Sequence, residues 1–127
     1  MVADSAYVLV VDDEPHLCNG LRRILEKEGY EVSTAQDGQT ALGLVDQRTP
    51  DVILLDLMMP GLDGREVCRR VREVAPATQV IYFTAKAEPV DPTVLRHLRA
   101  EADAFITKPA TTRQILAKVR SVLQHAR

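Results

Sequence analysis

Five short runs rich in Val, Ile and Leu recur along the chain, at Ala6–Asp12 (AYVLVVD), Tyr30–Ala35 (YEVSTA), Asp51–Leu57 (DVILLDL), Gln79–Thr84 (QVIYFT) and Asp103–Thr107 (DAFIT). Each has the length of a strand, and the first, third and fourth are almost continuously apolar, as strands covered on both faces must be. Between them the apolar residues return every three or four positions. Leu17, Leu21, Ile24 and Leu25 mark a helix over Pro15–Glu28, with Gly29 as its stop. Ala41, Leu42 and Val45 mark a second, and Val67, Cys68, Val71 and Val74 a third that Pro76 closes. Val94, Leu95 and Leu98 mark a fourth, and Ile115, Leu116, Val119, Val122 and Leu123 a long fifth. Strand and helix in strict alternation predict an α/β fold, a doubly wound parallel sheet with helices on both faces. The 127 residues suit one domain over 1–127, without linker, internal repeat or low-complexity segment.

Composition narrows the function classes. With 16 basic and 18 acidic residues the net charge is −2, so no overall field draws the chain to nucleic acid or an anionic membrane. The densest basic stretches, CRRVRE at 68–73 and LRHLRAE at 95–101, have acids interleaved and read as solvated helix faces. Cys18 and Cys68 lie among apolar neighbours without metal-ligand spacing, which predicts core thiols in a reducing compartment. No apolar stretch is long enough to span a membrane, and MVADSAY lacks the basic start and apolar block of a signal peptide, so a cytoplasmic location is expected.

In open α/β sheets right-handed crossovers bring every strand's C-terminal end to one edge, and ligands bind there. The residues at or just past the five ends are Asp12 and Asp13, Gln36 and Asp37, Asp56, Thr84 and Lys108. Three clustered acids repel unless something cationic neutralises them. An all-oxygen carboxylate set suits Mg²⁺, which keeps several waters and commonly works beside phosphate, and nothing in it suits zinc. For Asp12 and Asp13 a second explanation stands level: they cap the helix that starts at Pro15. Asp56 is harder to explain structurally, because it closes the most apolar run with no helix directly behind it. A carboxylate beside a metal and a lysine can attack phosphorus to give an aspartyl phosphate. Lys108 would neutralise the transferred oxygens and the Thr84 hydroxyl would hydrogen-bond another. Singly, Thr84 is an ordinary strand residue and Lys108 an ordinary surface lysine; their shared edge gives them weight.

Four stretches in order, VDDEP (11–15), DLMMPGLDG (56–64), FTA (83–85) and ITKP (106–109), resemble the receiver domain of two-component response regulators, the fold of the bacterial chemotaxis regulator. The resemblance runs essentially end to end. It implies a flavodoxin-like sheet of strand order 2-1-3-4-5. It also implies a signalling domain rather than an enzyme, one that takes a phosphoryl group on Asp56 from a histidine kinase or phosphotransfer protein. Asp13, Asp56 and the Met58 backbone carbonyl would ligate Mg²⁺, and Asp12 would hold a metal-bound water. Thr84 and Lys108 would contact the phosphoryl group, and Phe105 would be the switch aromatic that moves inward with the threonine. An aromatic in a strand is otherwise usually core. The surface of the fourth helix, fifth strand and fifth helix would face an output domain or downstream partner and would serve for dimerisation, without direct contact to nucleic acid or membrane.

Two departures stand out. The loop AKAEPVDP after Thr84 is longer than the family's and carries Pro89 and Pro92, and Glu101 stands where receivers carry glycine. A left-handed backbone at Glu101 would cost roughly 1–2 kcal/mol, so an altered turn is expected. Met58 and Lys86 flank the site where the family tunes phosphoryl lifetime. Two other classes fit less well. A Mg²⁺-dependent phosphohydrolase needs a cap or insertion that the short connections leave no room for. A flavodoxin-like electron carrier needs a Gly/Ser/Thr-rich phosphate loop after the first strand, where this chain has acids, and a tryptophan for the flavin, which it lacks.

Overall fold

In a computed structural model, which describes residues 5–59, 61, 63–85 and 92–125, strands and helices alternate without exception. The order is β1 (Tyr7–Val11), α1 (Pro15–Lys27), β2 (Glu31–Ala35), α2 (Gly38–Gln47), β3 (Val52–Leu55), α3 (Gly64–Val74), β4 (Gln79–Ala85), α4 (Pro92–Glu101), β5 (Ala104–Lys108) and α5 (Thr112–His125). All pairings are parallel and the sheet runs β2-β1-β3-β4-β5, the order the family resemblance implied.

The pleat explains why the middle runs are solidly apolar. Val8, Val10, Val52, Leu54, Ile81 and Phe83 face the layer of α1 and α5, with Cys18, Leu21, Leu25, Ile115 and Val119 packed on them. Their alternates Leu9, Val11, Ile53, Leu55, Val80 and Tyr82 face the opposite layer, with Ala41, Val45, Val67, Cys68 and Val71. Each fully buried Val, Leu or Ile contributes about 1.5–3 kcal/mol of transfer free energy. A one-residue slip of β1 or β3 would exchange both layers at once. β2 and β5, at the edges, are only partly buried. The two thiols are buried in opposite layers and unpaired.

Helix ends are set locally. After α1 the N–H groups of Gly29 and Tyr30 donate to the Glu26 and Leu25 carbonyls, and Gly29 takes φ 97°, the left-handed stop expected of glycine. Asp37 and Asp63 cap α2 and α3 by accepting from Thr40 N and Glu66 N. Thr111 and Gln114 exchange hydrogen bonds across the start of α5, a reciprocal capping box.

Two expectations need correcting, and the condition attached to a third is not met. The strands are shorter at their acid ends than the runs suggested, so Asp12 and Asp56 lie just past β1 and β3 while Lys108 is the last residue of β5. The cap of α1 is Glu14, whose carboxylate accepts from His16 N at 2.8 Å, so capping does not account for Asp12 and Asp13. Glu101 stays in α4, and no non-glycine residue among those described has positive φ, so the left-handed strain at that turn does not arise. Lys86 and Pro89 lie outside the described residues; Pro92 opens α4.

Candidate functional site

Asp12, Asp13 and Asp56 meet at the C-terminal edge of the sheet, where each offers a carboxylate oxygen within 4.8 Å of the others. The backbone puts them there: β1 and β3 are neighbours in register, Val11 beside Leu55, so the residues that leave both strands emerge side by side. Asp12 and Asp56 are 2% and 5% exposed, whereas Asp13 faces solvent. Charge this deeply placed needs partners.

Lys108 supplies one from β5. Its Nζ lies 2.6 Å from Asp12 Oδ2 and 3.8 Å from Asp56 Oδ2, and 5.2 Å from the centre of the Phe83 ring below. The peptide between Lys108 and Pro109 is cis. Backbone N–H groups take the remaining oxygens: Glu14 N donates to Asp12 Oδ1 at 3.0 Å, and Met58 N to Asp56 Oδ1 at 3.0 Å. Both Asp12 oxygens therefore hold protein donors. On Asp56, Oδ1 is held and Oδ2 faces the lysine at longer range, while Asp13 makes no hydrogen bond or ion pair among the described residues. Three carboxylates, two of them buried and one open to solvent, form a hard-oxygen set that fits a small divalent cation such as Mg²⁺.

Two supports were not foreseen from sequence. The Cys18 thiol donates to the Asp12 carbonyl at 3.2 Å, and burial, followed by the Asp12 charge, pushes its pKa up to about 11. Gly64, the first residue of α3, lies so close to the loop after β3 that a Cβ there would stand 2.5 Å from the Asp56 carbonyl oxygen and 2.8 Å from Leu57 Cα. A glycine directly behind the capping Asp63 was the available signal. The side chain of Met58 is exposed.

Of the other anticipated residues, Thr84 is buried near the end of β4, registered with Thr107 and two positions beyond Tyr82, which pairs with Leu55. Asp37 is engaged in its cap at the end of β2, so that strand's end contributes no carboxylate to the cluster. Phe105 is half-buried on β5. Its ring meets Tyr82 edge-to-face, with centroids 6.3 Å apart at 84°, and the Arg99 guanidinium lies 5.6 Å from its centre. The basic stretch at 68–73 is only partly a solvated face. Arg69 and Arg70 pair with Glu66 in solvent, but Arg72 reaches the Thr78 and Glu101 carbonyls and Asp103.

The model of the response regulator receiver domain family matches residues 8–120. A CheY-like receiver domain protein from Methanospirillum hungatei JF-1 superposes with a TM-score of 0.87 at 28% identity, over 97% of each chain. The signal receiver domain of a signal transduction histidine kinase from Syntrophus aciditrophicus gives 0.84 at 31% identity, over 95% of this chain and 92% of that one. NtrX from Brucella abortus gives 0.86 at 28% identity; 96% of this chain is covered but only 28% of NtrX. No helix among the described residues is long and apolar enough to cross a membrane. With a family match spanning nearly the whole chain and solved receivers matching it end to end, this chain belongs to the response regulator receiver domain family, the signalling domain of two-component systems.

Proposed function

We propose that residues 1–127 form a phosphoacceptor domain in which Asp56 takes a phosphoryl group from the phosphohistidine of a kinase or phosphotransfer protein. The observation that carries this is the buried Asp56 carboxylate beside Asp12, Asp13 and Lys108. Met58 N–H holds Oδ1, which leaves Oδ2, the oxygen towards Lys108, as the attacking atom. That oxygen forms the new O–P bond as the P–N bond of the donor breaks, its electron pair going to the imidazole nitrogen. Asp13, Asp56 and the Met58 carbonyl would hold Mg²⁺, with Asp12 holding a water in its shell. This ion would neutralise charge on the transferred oxygens.

Asp12, already committed to Glu14 N–H and Lys108, is suited to that outer role. Lys108 can turn from Asp12 to the phosphoryl oxygens, since it already lies within 4 Å of both acids. Thr84 would donate its hydroxyl to another oxygen, and Phe105 would follow it inward. The added charge shifts the population between two arrangements of the α4, β5 and α5 surface, which would face an output domain or partner and serve for dimerisation. The unpaired thiols fit the cytoplasm.

The test is incubation with acetyl phosphate and Mg²⁺ followed by intact mass measurement. A phosphoryl adduct that Asp56→Ala abolishes is expected. Turnover of phosphate esters without a lasting adduct would instead identify a phosphohydrolase.

A further inference from the structure

The Glu101 carboxylate gathers donors from two other elements. From α3, Arg65 Nε donates to Oε1 at 3.0 Å and Oε2 at 3.2 Å, and its Nη2 closes a bidentate pair. From β4, the buried Tyr82 hydroxyl donates to Oε1 at 2.9 Å. The Glu101 carbonyl accepts from Arg72 Nη2 at 3.0 Å, and the same guanidinium reaches Asp103 Oδ2 at 3.0 Å. The end of α4 is thus fastened to α3 at two levels, by arginines seven residues apart on one face of the helix. The other arginine–carboxylate pairs at α3, Glu66 with Arg69 and Arg70, stay within that helix.

We propose that Glu101 is a latch that holds α4 on α3 and biases the domain towards its unphosphorylated arrangement. The inference rests on the phosphoacceptor reading above. Both ends of the connection are physical contacts. Arg65 follows Gly64, which touches the Asp56 backbone. At the other end Tyr82 shares a sheet face with Thr84, two positions on, and meets Phe105 edge-on. If Phe105 moves inward, it must slide against a ring pinned at its hydroxyl by Glu101. The latch is closed while Lys108 still pairs with Asp12 at 2.6 Å rather than with a phosphoryl group, so releasing it removes an interaction of that arrangement and the activated one gains population.

The experiment titrates beryllofluoride, a phosphoryl stand-in, with Mg²⁺ into wild type, Arg65→Ala, Glu101→Gly and Glu101→Gln, followed by amide NMR. Thermal unfolding checks each variant. Arg65→Ala and Glu101→Gly should bind at midpoints about fivefold lower, the low end of coupling between sites. Glu101→Gln, which keeps an acceptor for Tyr82, should fall between, and a variant carrying both Arg65→Ala and Glu101→Gly should add nothing to the larger single effect. Unchanged or raised midpoints in folded variants overturn the latch while leaving the acceptor site standing. Failure of wild type to take beryllofluoride overturns the acceptor reading and the latch with it. Should Glu101→Gly not fold, Arg65→Ala and Glu101→Gln decide.

Discussion

The Lys108 ammonium sits 2.6 Å from Asp12 Oδ2, on an aspartate that is almost wholly buried, and reaches Asp56 only at 3.8 Å. Lysine is therefore the structural counter-ion of one acid before it can serve the other. Its removal leaves two buried carboxylates without their nearest cation. Lys108→Ala should lower stability by about 2 kcal/mol in Mg²⁺-free solution at neutral pH, less than for a fully buried pair because the lysine is partly exposed. Added Mg²⁺ should recover part of the loss, as urea unfolding with and without the ion will show.

Asp13 contributes charge to the cluster but, among the described residues, no hydrogen bond, so without a bound metal ion it adds repulsion to Asp12 and Asp56. Asp13→Asn should raise the thermal midpoint in Mg²⁺-free buffer by roughly 2–5 °C, corresponding to about 1 kcal/mol. Saturating Mg²⁺ should erase or reverse the gain, because wild type, with three carboxylates rather than two, then binds the ion more tightly. Calorimetry at several Mg²⁺ concentrations measures both; equal midpoints without the ion would argue that the acids do not repel.

The three atoms nearest to a Cβ built on Gly64 are all backbone, from Asp56 and Leu57. Backbone cannot swing away as a side chain can, so Gly64→Ala must push α3 off the loop that carries Asp56. A cost of about 2 kcal/mol or more is expected, the upper range for an overpacked site. Weaker Mg²⁺ binding should accompany it. A variant with wild-type stability and wild-type affinity would contradict the contact.

The hydrogen bonds from Arg65, ahead of that from Tyr82, hold the Glu101 carboxyl below its usual range. A depressed folded pKa means that the contribution is fully present above the unfolded value, 4.5, and is lost as pH falls through the lower folded value. Wild type should therefore be more stable than Glu101→Gln at neutral pH, and the gap should close as the solution is acidified below 4.5. Denaturant midpoints across that window give the answer; a gap independent of pH would assign the difference to packing instead.

Much of this molecule can be read before any coordinates exist. Asp12, Asp56 and Lys108 close or follow apolar runs, where a charged group has few structural reasons to be, and parallel topology sends those ends to one edge. Glu101 was visible only as a departure from glycine. Its partner Arg65 lies 36 residues away, and Arg72 finds Asp103 across 31. Nothing local in α3 marks which of its four arginines face the protein.

The amino-acid sequence alone determined the five strands, the five helices, their two-layer packing and the acidic edge, because burial imposes a period that each segment carries within itself. Only the tertiary structure decided that Lys108 rests on Asp12 and that Glu101 joins α3 to Tyr82. Polar pairing depends on atoms coming within about 3 Å, a distance set by register and helix placement across the whole fold and carried by no single stretch of chain.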